Sequence, residues 1–444
     1  MFVTERFAAY ADELRSQRLP APVLHHAKRA VIDWHAALFP GAVVAPATLL
    51  ERALAGELDR GGATLALGRR ATLRAAALIN GTASHTIEFD DIFRDAIYHP
   101  GAPTIAAALA VAQDRAASGE EFLRAVVAGY EISTRIGAAL GRTHYRYWHT
   151  TGTVGSFGAA AAAAMLLGLS REQFAHALAT VTTFAAGLQQ AFRMDSMSKP
   201  LHAGRAAEAG VLAALAAREG VTGSLDAIDG EAGLGKAMSD GPDWDKACAS
   251  LGKVHNISLM TFKNHGCCGH TFAAIDGALE VMARSGRTAG DIARVRVETY
   301  RVALDVAGNA EASTPALAKF SLAYVVAHAL ARGAVRLDAF SPERLADPAI
   351  RALMGRIEIS VDPELDAAFP GKRAARVSID WDDGARGSWL QPTRKGDPDA
   401  PLSDAELDAK FHELATPVIG AERAEELAHR LWTLEAAASL AGGA

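Results

Sequence analysis

Cysteine is scarce: three residues in a chain of 444. That number excludes a disulfide framework and points to a reducing, cytoplasmic setting. Aromatic residues make up only 7% although half of all residues are hydrophobic, so the core must be built mainly from Ala, Leu and Val. No uncharged apolar run reaches the roughly 18 residues of a membrane span. The opening MFVTERFAAYADELRSQ mixes charged and apolar residues, as an amphipathic helix does, and lacks the basic start and apolar run of a secretion signal. Positive charge is not in excess either. A net charge of −6 excludes a broad nucleic-acid surface, so an anionic ligand must be met by a local cluster of bases. No repeat recurs at a fixed period.

What is abundant is helical pattern. APVLHHAKRAVIDWHAALF places Val23, Leu24, Ala27, Ala30, Val31 and Trp34 on one face. GEEFLRAVVAGYEISTRIGAAL repeats the habit, and the run Ala159–Ala164 suits helices that approach closely. The period changes after about residue 260. Val295, Val297 and Thr299 alternate with charged residues, as do Ile357, Ile359 and Val361. Val377, Ile379 and Trp381 follow, ahead of the hairpin signal Asp383–Gly384. The expected fold is mainly α: a large helical domain over 1–258, a smaller α+β domain over 259–395, and C-terminal helices over 396–444 that return to the first domain. Ser403 and Glu406 are spaced as a capping box for that return.

Four segments hold residues suited to chemistry. HTIEFDDIFRDAIYHPGAP concentrates Glu88, Asp90, Asp91 and Asp95 ahead of His99. Paired carboxylates near a histidine can serve acid–base chemistry or bind magnesium, and a solvated acidic loop has the same composition. In YWHTTGTVGSFG, His149 precedes Gly152, Gly155 and Gly158; no strand comes before it, so a dinucleotide loop is excluded, and His149 is either a core histidine or an acid. SMSKPLHAGR sets Lys199, His202 and Arg205 at a helix start, a natural receptor for a carboxylate. FKNHGCCGHTF packs Lys263, His265, Cys267, Cys268 and His270 together. Adjacent cysteines suit neither an iron–sulfur cube nor one zinc tetrahedron, and C-x-x-C is absent. No metal is expected there.

In this order the segments resemble the MmgE/PrpD family, which includes 2-methylcitrate dehydratases, cis-aconitate decarboxylases and iminodisuccinate epimerases. Glu88-Phe89-Asp90-Asp91 through His99-Pro100 is similar to its D-F-D-D segment ending in His-Pro, and SMSKPLHAG to its S-x-x-K-P-x-H-x-G. Lys263 through Asp276, Ala318–Val326 and Gly396–Asp404 match further family segments. The resemblance implies a helical domain discontinuous in sequence, an α+β lid, a homodimer, and a site between the domains that needs neither cofactor nor metal. It assigns Lys199 and Lys263, with Arg205, to neutralising a small polycarboxylate, and His149 and His99 to proton transfer. Glu88 or Asp90 would orient a histidine or act as base, and Tyr324 would donate to a leaving hydroxyl. Asp91, His202, Cys268 and His270 complete the expected binding set. The chain departs from the family at Glu88 for aspartate, at Ile92 for threonine, by one extra residue before His99, and at Phe272 for a histidine whose place His270 would take. Cys268 stands where the decarboxylase branch has histidine. The expected activity is a hydro-lyase of the 2-methylcitrate kind. The alternatives are an epimerase of the iminodisuccinate type, a cis-aconitate-type decarboxylase, and a catalytically silent binding protein on the same fold.

Overall fold

The computed structural model describes residues 1–192, 194 and 196–442. Two compact units form. The first joins Met1–Thr86, Asp90–Phe262 and the chain from Ser403 onward; the second joins Ile87–Phe89 to Lys263–Leu402.

The first unit is a stack of helices. Ala21–Ala42 begins with one buried face, Val23 and Ala27, while Leu24 is half-buried; from Arg29 to Phe39 every residue is buried. The one-sided stripe of its start thus gives way to a helix covered all round. Helices Leu73–Thr86, Gly101–Asp114, Gly155–Leu166 and Ser198–Arg218 pack against one another, and Ala159–Ala164 are all fully buried. Small side chains do this work because they let backbones meet. The return of the C-terminus is marked by its cap: Glu406 N–H donates to Ser403 Oγ at 3.2 Å and Ser403 N–H to Glu406 Oε2 at 2.7 Å. Helices Asp404–Ile419 and Ala421–Trp432 pack on Ala21–Ala42. Lys410 seals the contact by donating to Asp33 at 2.6 Å, both side chains buried.

The helical pattern read up to residue 258 overlooks two small antiparallel pairs, Leu58–Thr64 with Arg70–Ala71 and Ile92–Phe93 with Met260–Thr261. Neither alternates in sequence. The first is held by side chains of neighbouring helices instead: Gln113 Oε1 accepts from Thr64 N–H, and Asn80 Nδ2 donates to Thr64 O.

The second unit is built on a four-stranded sheet in the order Ile357–Val361, Ile292–Thr299, Ala375–Trp381, Arg386–Gln391. The first two strands are parallel and the others antiparallel. The parallel pair requires a crossover, which several helices including Leu322–Arg332 supply. Val295, Val297, Val377 and Ile379 point into an apolar core with helix Phe272–Ser285. Among the described residues no single helix is long and apolar enough to cross a membrane.

Candidate active site

Four histidines of the helical unit meet around one carboxylate. His85 lies in the last turn of Leu73–Thr86. That helix is pressed against Ser198–Arg218, where a Cβ on Gly204 would stand 2.2 Å from the Leu78 carbonyl oxygen; only glycine allows the approach that brings His202 near. Beyond the helix, Glu88 takes a left-handed backbone, φ +61°, unusual for a residue with this side chain. The reversal returns the chain so that Asp90 meets His85, Nδ1 to Oδ2, at 2.7 Å. Phe93 and Tyr98 then pair across a tight loop, which sets His99 just before helix Gly101–Asp114. His99 Nδ1 lies 3.3 Å from the same Asp90 oxygen.

His149 precedes the short helix Thr150–Thr153 and is buried, its N–H donating to Gly187 O at 2.9 Å. Its Nδ1 is 3.0 Å from His202 Nδ1, so one of the two carries the hydrogen and the other offers a lone pair. Burial first, then the charges of His85 and Lys199, hold His149 well below the usual histidine range. The same causes bring His202 down to about 4. Both rings are therefore neutral at pH 7. Asp90 runs the other way from a buried acid: burial would raise it, but His85 and His99 hold it well below the usual carboxylate value. Lys199 is buried in the first turn of Ser198–Arg218.

Not every expected residue joins this cluster. Arg205 is half-exposed and pairs with Glu208, which also takes Arg74. Asp91 is buried with both oxygens occupied, accepting from Tyr130 Oη at 2.8 Å and from Gly101 N–H at 3.0 Å. It anchors a helix start; a Cβ on Gly101 would stand 2.8 Å from both Asp91 Oδ1 and Tyr130 Oη. Burial, with the nearby charge of Asp33, pushes Asp91 up to about 8. A carboxyl raised in the fold favours folding only while protonated, so Asp91 should cost stability progressively as pH rises from about 4 to about 8. Asp91→Asn, which keeps an acceptor, should flatten that fall, raising the melting temperature at pH 8 but not at pH 5. Parallel melting curves for both proteins from pH 5 to 9 would contradict this.

In the second unit, Lys263 is buried and donates to Glu88 O at 2.8 Å, with Glu88 Oε2 3.4 Å away. His270 Nδ1 meets Tyr300 Oη at 2.8 Å, and Tyr300 stacks on Phe369 at 4.6 Å. Burial, then Arg373 and Arg394, keep His270 well below the usual range. Cys268 begins the turn Gly269–Thr271, its N–H donating to Lys319 O at 3.0 Å. Cys267 Sγ contacts Thr271 Oγ1 at 3.2 Å, and burial pushes its thiol up to about 12. His265 is held by Asp276 at 2.8 Å. His265, Cys267 and His270 thus face different partners and do not converge on one ion. Tyr324 lies in the apolar core of the second unit, its hydroxyl donating to Ala339 O.

Among the described residues, the one group whose ligand atoms could hold a metal is His85, Asp90 and His99, within 4.8 Å of one another. Two donors on one tetrahedral zinc, each about 2.0–2.1 Å from it, stand roughly 3.3 Å apart. The 2.7 Å between His85 and Asp90 is hydrogen-bond spacing. His85, the hub of the cluster, was missed in the sequence; its only signal was a histidine five residues before an aspartate.

The MmgE/PrpD N-terminal domain matches residues 5–247 and the MmgE/PrpD C-terminal domain residues 265–434. A cis-aconitate decarboxylase-like protein of Aspergillus oryzae is 29% identical over 465 residues, covering 99% of this chain and 95% of its own. The cis-aconitate decarboxylase of Homo sapiens is 27% identical over 98% of this chain and 92% of its own. That of Aspergillus terreus is 25% identical over 86% and 83%. With both domains matched in order over nearly its whole length, the chain belongs to the MmgE/PrpD family.

Proposed function

We propose that this protein is a lyase acting on a small di- or tricarboxylate by moving a proton at carbon beside a carboxylate. The observation that carries the reading is the pair of buried His149 and half-buried His202, both neutral and 3.0 Å apart beside Lys199. A neutral imidazole at pH 7 can accept a proton, and a fixed ammonium offsets the charge that develops on the substrate. His149 is the proton-transfer group, His99 its partner against Asp90, and Lys199 the counter-charge. Lys263, Cys268 and His270 are assigned to substrate carboxylates.

Loss of carbon dioxide from a cis-aconitate-type substrate comes first, because relatives that run the length of the chain are a cis-aconitate decarboxylase and a cis-aconitate decarboxylase-like protein. Dehydration of a 2-methylcitrate-type substrate is the second reading. It is favoured by Cys268, where the family resemblance puts histidine in the decarboxylase branch.

Incubation with cis-aconitate, 2-methylcitrate, citrate and iminodisuccinate in deuterated water tests both. Released carbon dioxide with one deuterium in the product supports decarboxylation. A new ultraviolet-absorbing alkene without carbon dioxide supports dehydration, and α-proton exchange alone means epimerisation. Activity should survive EDTA. A protein inert on all four substrates would overturn the lyase reading.

A further inference from the structure

His85 holds no part in the chemistry just proposed, yet the other imidazoles converge on it. It donates from Nδ1 to Asp90 at 2.7 Å, to the oxygen that also lies 3.3 Å from His99. Its ring meets His99 edge-on at 4.8 Å between centroids and stacks on His149 at 5.6 Å with 21° between planes. The side chain is 0% exposed, and its Nε2 has no hydrogen-bond partner among the described residues. For packing alone this is a poor choice. A buried acceptor without a donor is unfavourable, and an apolar ring would fill the same space without it.

We infer that, within the lyase reading of this cluster, His85 is a positioning residue: its Nδ1–H bond fixes Asp90 between two imidazoles, and its ring sets the face on which His149 rests. Three consequences follow from the geometry. Asp90 cannot turn wholly toward His99, because its closer bond is to His85. In neutral His85 the hydrogen is confined to Nδ1, the less common place for it, and Nε2 is left as a lone pair. The stacked ring fixes the plane of His149, and so keeps its Nδ1 aimed at His202. This is the work that a carboxylate-bound histidine does in ordering its neighbours.

The test uses the full chain labelled with ¹⁵N at histidine, and two variants. His85→Phe keeps a ring for the stack and removes the donor; His85→Asn keeps an N–H at the level of Nδ1 and removes the ring. In the wild-type spectrum at pH 8, the histidine signals that vanish in His85→Asn should carry their hydrogen on Nδ1. A hydrogen on Nε2 of that residue would overturn the inference. On the substrate that the wild type turns over, His85→Phe should lower kcat by about 10–100-fold with KM changed by no more than about twofold, and His85→Asn should recover most of the loss. Equal losses in both variants, parallel to a fall in melting temperature, would mean packing alone and also overturn it. So would stoichiometric zinc bound through the three side chains. If the wild type is inert on every polycarboxylate, the lyase reading fails while the tautomer still decides the role of His85. The tautomer measurement also decides it if His85→Phe does not fold.

Discussion

His149→Asn is expected to lower kcat by about 10²–10⁴-fold, the contribution of one positioned proton-transfer group. Asparagine places an amide at the level of Nδ1, so the contact with His202 at 3.0 Å can persist. What it cannot do is take up and release a proton near pH 7. The fold should remain: His149 also donates through its backbone N–H to Gly187, and that bond is indifferent to the side chain. Lys199→Met is the companion measurement, since loss of a fixed charge should weaken binding as well as turnover and so raise KM. The check is kcat and KM for both variants at a melting temperature within a few degrees of wild type. Near wild-type kcat in His149→Asn would reduce His149 to a structural ring and pass proton transfer to His99.

The second large effect concerns stability. Lys410→Met should destabilise the helical unit by about 3–5 kcal/mol, the usual result of removing one partner from a buried ion pair. Lys410 and Asp33 are 2% and 1% exposed, so water cannot take over the lost contact. Asp91 lies near enough for the charge of Asp33 to raise its pKa, so Asp33 without Lys410 would face a second acid. The melting temperature should fall by roughly 5–15 °C at pH 8. The fall should be smaller at lower pH, because a buried carboxylate that has lost its counter-ion favours the protonated form. Replacing both partners, Asp33→Leu with Lys410→Met, should restore most of the loss, because an apolar pair of similar volume has no desolvation to recover. Thermal melts of the two variants at pH 8 and at lower pH decide it. A single variant as stable as wild type would show that the pair contributes nothing net.

The parts of the fold legible in the sequence are those whose cause is local. Val295 and Val297, like Val377 and Ile379, face inward because strand side chains alternate, and the turn signal at Asp383–Gly384 lies between Ala375–Trp381 and a further strand, Arg386–Gln391. Ser403 and Glu406 form their cap for the same reason: both partners lie within one helical turn. The site was legible as a set of residue types but not as an arrangement. The bond between His85 and Asp90 depends on a left-handed turn at Glu88, a conformation glutamate seldom adopts, so nothing in H-T-I-E-F-D announces it. The role of Tyr324 came from the family resemblance alone, and its bond to the Ala339 carbonyl, 15 residues away in the chain, has no local signal. Arg205 is a different case. Glu208 follows it at the i, i+3 spacing of a helical ion pair, so its partner was readable from the start.

The contact between Lys410 and Asp33 joins residues 377 positions apart in the chain. During synthesis at about 5–20 residues per second, roughly 20–75 s separate the appearance of the two partners. Through that interval the helix Ala21–Ala42 has left the ribosome without the C-terminal helices that cover it, its apolar face and Asp33 both waiting. The α+β unit has no such gap after Lys263 and can close while the helical unit is still incomplete. Folding of this chain therefore has a nested order, the inner unit before the outer. The outer one keeps the apolar face of Ala21–Ala42 uncovered until the C-terminal helices emerge, which lengthens its exposure to aggregation during synthesis.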